Sequence, residues 1–307
     1  MSESEAPVGG SLVGGALPPD RARHHTVGVG SIYDAALGYE IAFSYRDVPK
    51  EVDALVRMAG REPASVLEIC AGPAEHAIEC ARRGWRATAL DLSAPMLDRA
   101  RANAGAAGVD VDLVRADMLN FRLADRVDLA FCMISSISYV LTLDDMIAHL
   151  SAVRRALNPG GTYVIEGSHP TEQFGAKATQ TTWTCTRDGT SSTLSWGAED
   201  DTIDPVTQLT ELHVTLETSG PDGAESITSI EMDRFWTRDE MHAAARLAGM
   251  RVVGEFGDFS GEIGLEHPGA WRMIHVLRPA STPMRSEAAG RETHDAGASV
   301  TATPATP

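Results

Sequence analysis

Glu68, Asp91 and Asp117 fall at the ends of three short apolar runs, and Gly72 follows the first of them in a turn of small residues. Val66-Leu67-Glu68-Ile69 breaks at Cys70-Ala71-Gly72-Pro73-Ala74, whose proline cannot continue a ladder. In an open α/β sheet, ligands bind beyond the carboxyl ends of the strands, where small turn residues let the backbone approach and the next helix presents unpaired N–H groups. Gly72 suits that approach. Asp91, about twenty residues further on, is placed to accept both hydroxyls of a ribose. An acid at Glu68 would repel a pyrophosphate but suits a ligand carrying an ammonium or sulfonium group.

The elements that must position these groups follow from periodicity. After the turn, Ala77, Ile78, Ala81 and Trp85 share a helical face that Gly84 terminates, and Ala87-Thr88-Ala89-Leu90 makes a second strand ending at Asp91. Strand, helix and strand form one βαβ unit with a right-handed crossover. A helix over Pro95 to Ala107 precedes a third strand, Val111 to Val114, which ends at Arg115-Ala116-Asp117-Met118. Val127 to Cys132 is a fourth strand, and Met133-Ile134-Ser135-Ser136-Ile137-Ser138-Tyr139 leaves its carboxyl end beside the presumptive ligand. A helix from Leu143 to Leu157 is stopped by Asn158-Pro159-Gly160-Gly161, and a fifth strand starts at Thr162. His169, just past that strand, is the best titratable base, with a hydrogen-bonded structural role as the alternative.

The stretch from Ser65 to Gly167 resembles the class I S-adenosylmethionine-dependent methyltransferases. The resemblance rests on the acid before a small-residue turn, Asp91 after the second strand, and the LNPGG stop. That family carries glycines at alternate turn positions; here the positions are Cys70, Gly72 and Ala74, so only the middle glycine is retained. The resemblance implies a Rossmann-like, doubly wound α/β sheet of about seven strands, mostly parallel, with the last pair antiparallel. It implies S-adenosyl-L-methionine as cofactor, held by Glu68, Cys70, Gly72, Asp91, Leu92 and Met133, with Asp117 accepting from the adenine amino group and Met118 covering the ring. The loop after the fourth strand resembles that of sugar N,N-dimethyltransferases, with Tyr139 where they carry histidine. Ser135 and Tyr139 would then meet the acceptor, Tyr139 as a positioning group or a weak base.

Two further segments frame that core. Ser31 to Gly60 combines aromatic residues with a helical repeat at Val52, Leu55, Val56 and Met58. Such segments form a lid in the resembled family, so Tyr33, Tyr39, Tyr45 and Arg46 either face the ligands or pack the helix. Alternating runs between Thr181 and Met232, separated by Asp188-Gly189, Asp204-Pro205 and Gly220-Pro221-Asp222-Gly223, read as an inserted antiparallel β-meander. Trp183 and Trp196 there form either an acceptor wall or the meander's own core. Thr237 and Glu240 make a capping box for a closing helix, and two strands finish the sheet.

The organisation expected is a disordered tail over 1–26, a methyltransferase domain over 27–279 (lid 27–64, cofactor core 65–168, meander 181–235, closing elements 236–279), and a second tail over 280–307. A formal charge of -17 opposes phosphate backbones, so nucleic acid is an unsuitable partner. No run of about eighteen apolar residues marks a membrane span, and the acidic start of the chain suits a cytoplasmic protein. Four cysteines show no metal spacing, adjacent His24-His25 lack ligand partners, and no metal is expected; a homodimer is allowed. The reading is methyl transfer to N or O of a small-molecule acceptor. Its rivals are another S-adenosylmethionine reaction such as aminocarboxypropyl transfer, a catalytically degenerate binding module, and, opposed by Glu68 and the missing GxGxxG, a nicotinamide-dependent dehydrogenase.

Overall fold

The computed structural model describes residues 30–173 and 180–280. The tails expected at 1–26 and 280–307, with His24-His25, lie outside the described residues apart from Ala280. Two helices come first, α1 (Ala36–Ala42) and α2 (Val48–Ala59), the latter capped by Asp47 and ended by left-handed Gly60. Strands and helices then alternate: β1 (Ser65–Ile69), α3 (Glu75–Arg82), β2 (Arg86–Asp91), α4 (Ala94–Ala107), β3 (Val111–Arg115), β4 (Val127–Cys132), α5 (Leu143–Ala156), β5 (Leu157–Ser168) and the single turn α6 (Pro170–Gln173). Four strands follow, β6 (Thr181–Arg187), β7 (Thr190–Trp196), β8 (Leu209–Gly220) and β9 (Gly223–Arg234), and α7 (Arg238–Leu247), β10 (Met250–Phe256) and β11 (Arg272–Pro279) close the chain.

β1 is buried along its whole length because it is an interior strand, parallel to β2 on one side and β4 on the other. The seven-stranded order is β10-β11-β5-β4-β1-β2-β3, with β11 antiparallel to both β5 and β10. This is the doubly wound α/β sheet expected. Order reverses between β1 and β4, so the carboxyl ends of β1, β2 and β4 open onto one crevice. One face buries Met146, Leu150 and Val153 of α5 with Met241 and Ala244 of α7; the other buries Val52 and Leu55 of α2 with Ala77 and Ala100.

One expected boundary is corrected. Asn158-Pro159-Gly160-Gly161 does not precede the fifth strand but lies within it, as a register shift between the pairs Val127↔Leu157 and Leu129↔Thr162. Gly160 turns left-handed at φ 75, and a Cβ on Gly161 would sit 2.9 Å from the Asn158 carbonyl oxygen, so the chain can bulge there only with glycine.

The second sheet is antiparallel, in the order β6-β7-β8-β9. Asp188 and Gly189 both have positive φ, the geometry of the two-residue hairpin turn that matches strand twist. The sheet packs on α1 through Leu194, Val214 and Leu216 against Ile32, Tyr39 and Phe43. Gly38 makes that contact possible, since a Cβ there would lie 2.3 Å from Thr218 Oγ1. Buried Glu40 of α1 takes ion pairs from Arg99 of α4 and Arg187 of β6, joining lid, core and meander.

Candidate active site

A cavity of about 330 Å³ opens at the carboxyl ends of β1 and β2, a size typical of small-ligand sites. It brings together Tyr33, Tyr39, Cys70, Gly72, Asp91, Leu92, Asp117, Met118 and Tyr139 of the expected residues, and adds Ser93 and Ser136. The turn after β1 is the reason Asp91 stands where it does: its Oδ2 accepts from Gly72 N at 2.7 Å and its Oδ1 from Ser93 N at 2.8 Å. Burial raises the Asp91 carboxyl above its ordinary range, and these N–H donors pull it back. Each oxygen keeps a lone pair for a ligand hydroxyl. Asp117 Oδ1 accepts from Leu119 N at 2.8 Å, and Met118 is held through its carbonyl, which accepts from His149 at 3.0 Å.

Cys70, Gly72 and Ala74 all adopt left-handed backbone, at φ 55, 52 and 61. The turn therefore keeps the conformation that alternate glycines would supply, and places two side-chain-bearing residues in a region that costs roughly 1–2 kcal/mol apiece. Ile134 and Ser135, at φ 57 and 54, repeat the strain in the loop after β4.

Several expected residues lie elsewhere. Glu68 is buried beside the turn, with Oε1 2.9 Å from His76 Nδ1 and Oε2 accepting from Ala77 N at 2.8 Å; it lines, with Met133, a smaller cavity of about 30 Å³ that shares Tyr39, Cys70, Gly72 and Ser136 with the first. Its charge is thus engaged by a protein cation and a helix N-terminus. Arg46 is drawn into the same buried chain: its guanidinium meets Glu51 at 2.7 Å, and Glu51 in turn meets His76 Nε2 at 2.8 Å. Tyr45 is 62% exposed and rests edge-on against Trp183, outside the main cavity.

Ser135 bonds to Ser168 at 3.1 Å around a third cavity. Trp183 donates to the Ala42 carbonyl at 2.8 Å, and both it and Trp196 pack in the core between meander and α1, one of the two readings left open. His169 has the hydrogen bonds of the structural alternative: it is buried, Nδ1 sits 2.7 Å from the Thr171 hydroxyl and Nε2 2.8 Å from the Leu265 carbonyl oxygen. The carbonyl fixes the proton on Nε2, and the Thr171 hydroxyl occupies the nitrogen left to act.

Two residues that sequence reasoning passed over stand behind the cavity wall. Tyr33 and Tyr139 are hydrogen-bonded through their hydroxyls, and Tyr139 also bonds to Glu231 of β9. Asp233, two residues on, bonds to Ser138. Glu231 and Asp233 are buried, while their strand neighbours Ile230 and Met232 are half-buried, so β9 turns its acids inward. Glu231 Oε2 and Asp233 Oδ1 have no hydrogen-bond partner among the described residues. Burial raises Glu231 above the usual carboxylate range and, with repulsion from Glu231, pushes Asp233 up to about 7 against the pull of Ser138. Burial also lifts both tyrosines well above 10, which removes Tyr139 as a base in its own right.

Residues 66–161 match the family described as "Methyltransferase domain". With the sheet order and the crevice at its switch point, this match marks residues 66–161 as the S-adenosylmethionine-dependent methyltransferase domain of the chain, with S-adenosylmethionine as cofactor. Among its relatives is the dTDP-3-amino-3,4,6-trideoxy-alpha-D-glucopyranose N,N-dimethyltransferase of Streptomyces venezuelae, 27% identical over 209 residues, which span 68% of this chain and 84% of the relative. Of solved structures, a S-adenosylmethionine-dependent methyltransferase from Clostridium acetobutylicum superimposes with a TM-score of 0.65 at 14% identity, covering 82% of this chain and 100% of the other. DesVI of Streptomyces venezuelae superimposes with a TM-score of 0.63 at 24% identity, covering 81% and 97%. Among the described residues no helix is long and apolar enough to cross a membrane.

Proposed function

We propose that this enzyme methylates the nitrogen of a small-molecule amine, with an amino sugar as the substrate class. The observation that carries the reading is the pair of buried, incompletely bonded acids Glu231 and Asp233 behind the Tyr33–Tyr139 hydroxyls. An amine arrives largely as ammonium at neutral pH and must lose a proton before its lone pair can attack. A buried acid pair favours the cation and takes that proton; a carboxyl that titrates at about 7 is well matched to an amine but far too weak for an alcohol. The sugar N,N-dimethyltransferase relative supports the same class.

Roles for the cavity residues follow from chemistry and placement. Asp91 would hold the ribose, Asp117 and Met118 the adenine, and Gly72 gives close access to the turn. The cavity fits such a ligand, with acids at two ends and Met118, Leu92 and Leu90 between. The cofactor supplies a sulfonium-activated methyl group, so the protein's task is alignment and desolvation. With Glu231 ionised and able only to accept, the Tyr139 hydroxyl points at it and the Tyr33 hydroxyl points at Tyr139. That orients a lone pair of Tyr33 toward the cavity and makes the two hydroxyls a path for the amine proton to the Glu231–Asp233 pair.

The test is mass spectrometry of products from nucleotide-linked amino sugars and their hydroxyl counterparts, with Glu231→Gln and Asp233→Asn compared to wild type. Amine acceptors should be methylated, and the variants should lose roughly 10²-fold in kcat while binding S-adenosylmethionine as before in calorimetry. Methylation of the hydroxyl compounds alone, or full rates in both variants, would remove the reading.

A further inference from the structure

At the opposite edge of the large sheet, three elements bring His242 of α7, Glu255 of β10 and His275 of β11 together. Nε2 of His242 lies 2.9 Å from Glu255 Oε1, Nε2 of His275 lies 3.5 Å from the same oxygen, and the three potential ligand atoms are all within 4.8 Å of one another. His275 is 1% exposed, and neither of its ring nitrogens has a hydrogen-bond partner among the described residues. A buried imidazole that faces one carboxylate at 3.5 Å but makes no hydrogen bond is costly, of order 1–3 kcal/mol. A cation at the point where the three atoms converge removes that cost.

We infer that His242, Glu255 and His275 form a binding site for a divalent transition metal of the zinc class, separate from the methyl-transfer site. Two imidazoles and a carboxylate are a zinc-type donor set, and bonds of about 2.0–2.2 Å put tetrahedral ligand atoms roughly 3.3 Å apart, close to the 2.9 and 3.5 Å from each imidazole to Glu255 Oε1. The fourth position goes to water, since His242 is only half-buried. Arg238 is the competing group: its Nε lies 3.0 Å from Glu255 Oε1, and its NH2 group 2.7 Å from Oε2. Its side chain is 53% exposed, so it can keep Oε2 and release Oε1 to the metal at little cost. The bound ion would clamp α7 onto the antiparallel β10–β11 pair. None of these residues lies in a spaced metal motif, because the topology rather than the sequence brings them together.

The experiment titrates zinc chloride into tag-free, full-length, chelator-stripped protein by calorimetry, and cobalt(II) by visible absorption. Wild type should take up zinc at a site that His242→Gln and Glu255→Gln each weaken at least tenfold, while Arg238→Ala leaves it as tight or tighter. Circular dichroism checks that the variants remain folded; both altered positions are only partly buried. No zinc uptake by wild type overturns the site, as does equal uptake by both variants. The cobalt titration needs no variant: a spectrum that stays that of the hydrated ion also overturns it.

Discussion

His76 offers the sharpest physical test of the turn that shapes the cofactor cavity. It is 2% exposed, and each ring nitrogen faces a carboxylate, Nδ1 that of Glu68 at 2.9 Å and Nε2 that of Glu51 at 2.8 Å. Both nitrogens must donate, so the ring is an imidazolium. Burial opposes the charge, but attraction to Glu68 and hydrogen bonds to Glu51 and Glu68 outweigh it and hold the pKa at about 9, against 6.5 ordinarily. Because the folded value is the higher one, the stabilisation is complete below pH 6.5 and is lost as pH rises through 9. At about 1.4 kcal/mol per pH unit, the whole effect is about 3 kcal/mol, of which about 2 kcal/mol disappears between about pH 7 and about pH 8.5. Glu75 and Asp233, both raised by burial to about 7, are still half-protonated where that window opens and add about 0.4 kcal/mol each to the fall, in wild type and variant alike.

The assay is urea unfolding followed by circular dichroism at closely spaced pH values, for wild type and His76→Gln. The variant leaves Glu51 and Glu68 without their shared cation, and should cost about 3–5 kcal/mol at pH 7. More tellingly, its stability should fall by about 2 kcal/mol less than that of wild type across the window, since Glu75, Asp233 and the buried thiols are common to both. A wild-type fall that exceeds the variant's by less than about 0.5 kcal/mol across the window would refute the imidazolium and with it the account of what engages Glu68.

Two other perturbations probe the same framework. Tyr163→Phe removes the hydroxyl 2.7 Å from His149 Nε2, leaving a buried acceptor unpaired; unfolding by denaturant should show a loss of about 1–3 kcal/mol. The turn can be tested by paired substitution at Cys70, where φ is 55: Cys70→Gly should change stability by less than about 1 kcal/mol, strain relief offsetting the lost thiol contact, while Cys70→Val should cost more than about 2 kcal/mol in the same assay.

The parallel core was legible because its strands are buried on both faces and therefore read as apolar runs closed by small or acidic residues. The meander was legible from Asp188-Gly189 and Pro221-Asp222, which mark its hairpins. What local pattern could not supply was partnership. Glu68 at the end of a strand looks like a ligand contact until α3 brings His76 and the Ala77 N–H to it, and Arg46 looks free until Glu51 is found one helical turn inside α2. His169 looks like a base until a loop 96 residues later delivers the Leu265 carbonyl to its ring. In each case the competing group is distant in sequence or on another element, and charge or titratability alone does not reveal it.

The acids of β9 are different, because a signal was present and pointed the wrong way. Ile230 and Met232 invite a reading with apolar residues inward, and a strand's period of two then sends Glu231 and Asp233 to solvent. The observed register is the opposite: Ser229, Glu231 and Asp233 are buried, and Ile230 and Met232 lie half-exposed. A one-residue slip would bury the apolar set and free two carboxylates, so hydrophobicity alone disfavours what is seen. The register is held instead by the β8–β9 ladder, which runs unbroken from Leu209↔Arg234 to Gly220↔Gly223, and by the turn at Pro221-Asp222. A fold that spends its longest hairpin on turning two acids toward a tyrosine pair at a cofactor cavity has a chemical reason to do so, and a cationic acceptor that must surrender a proton is such a reason.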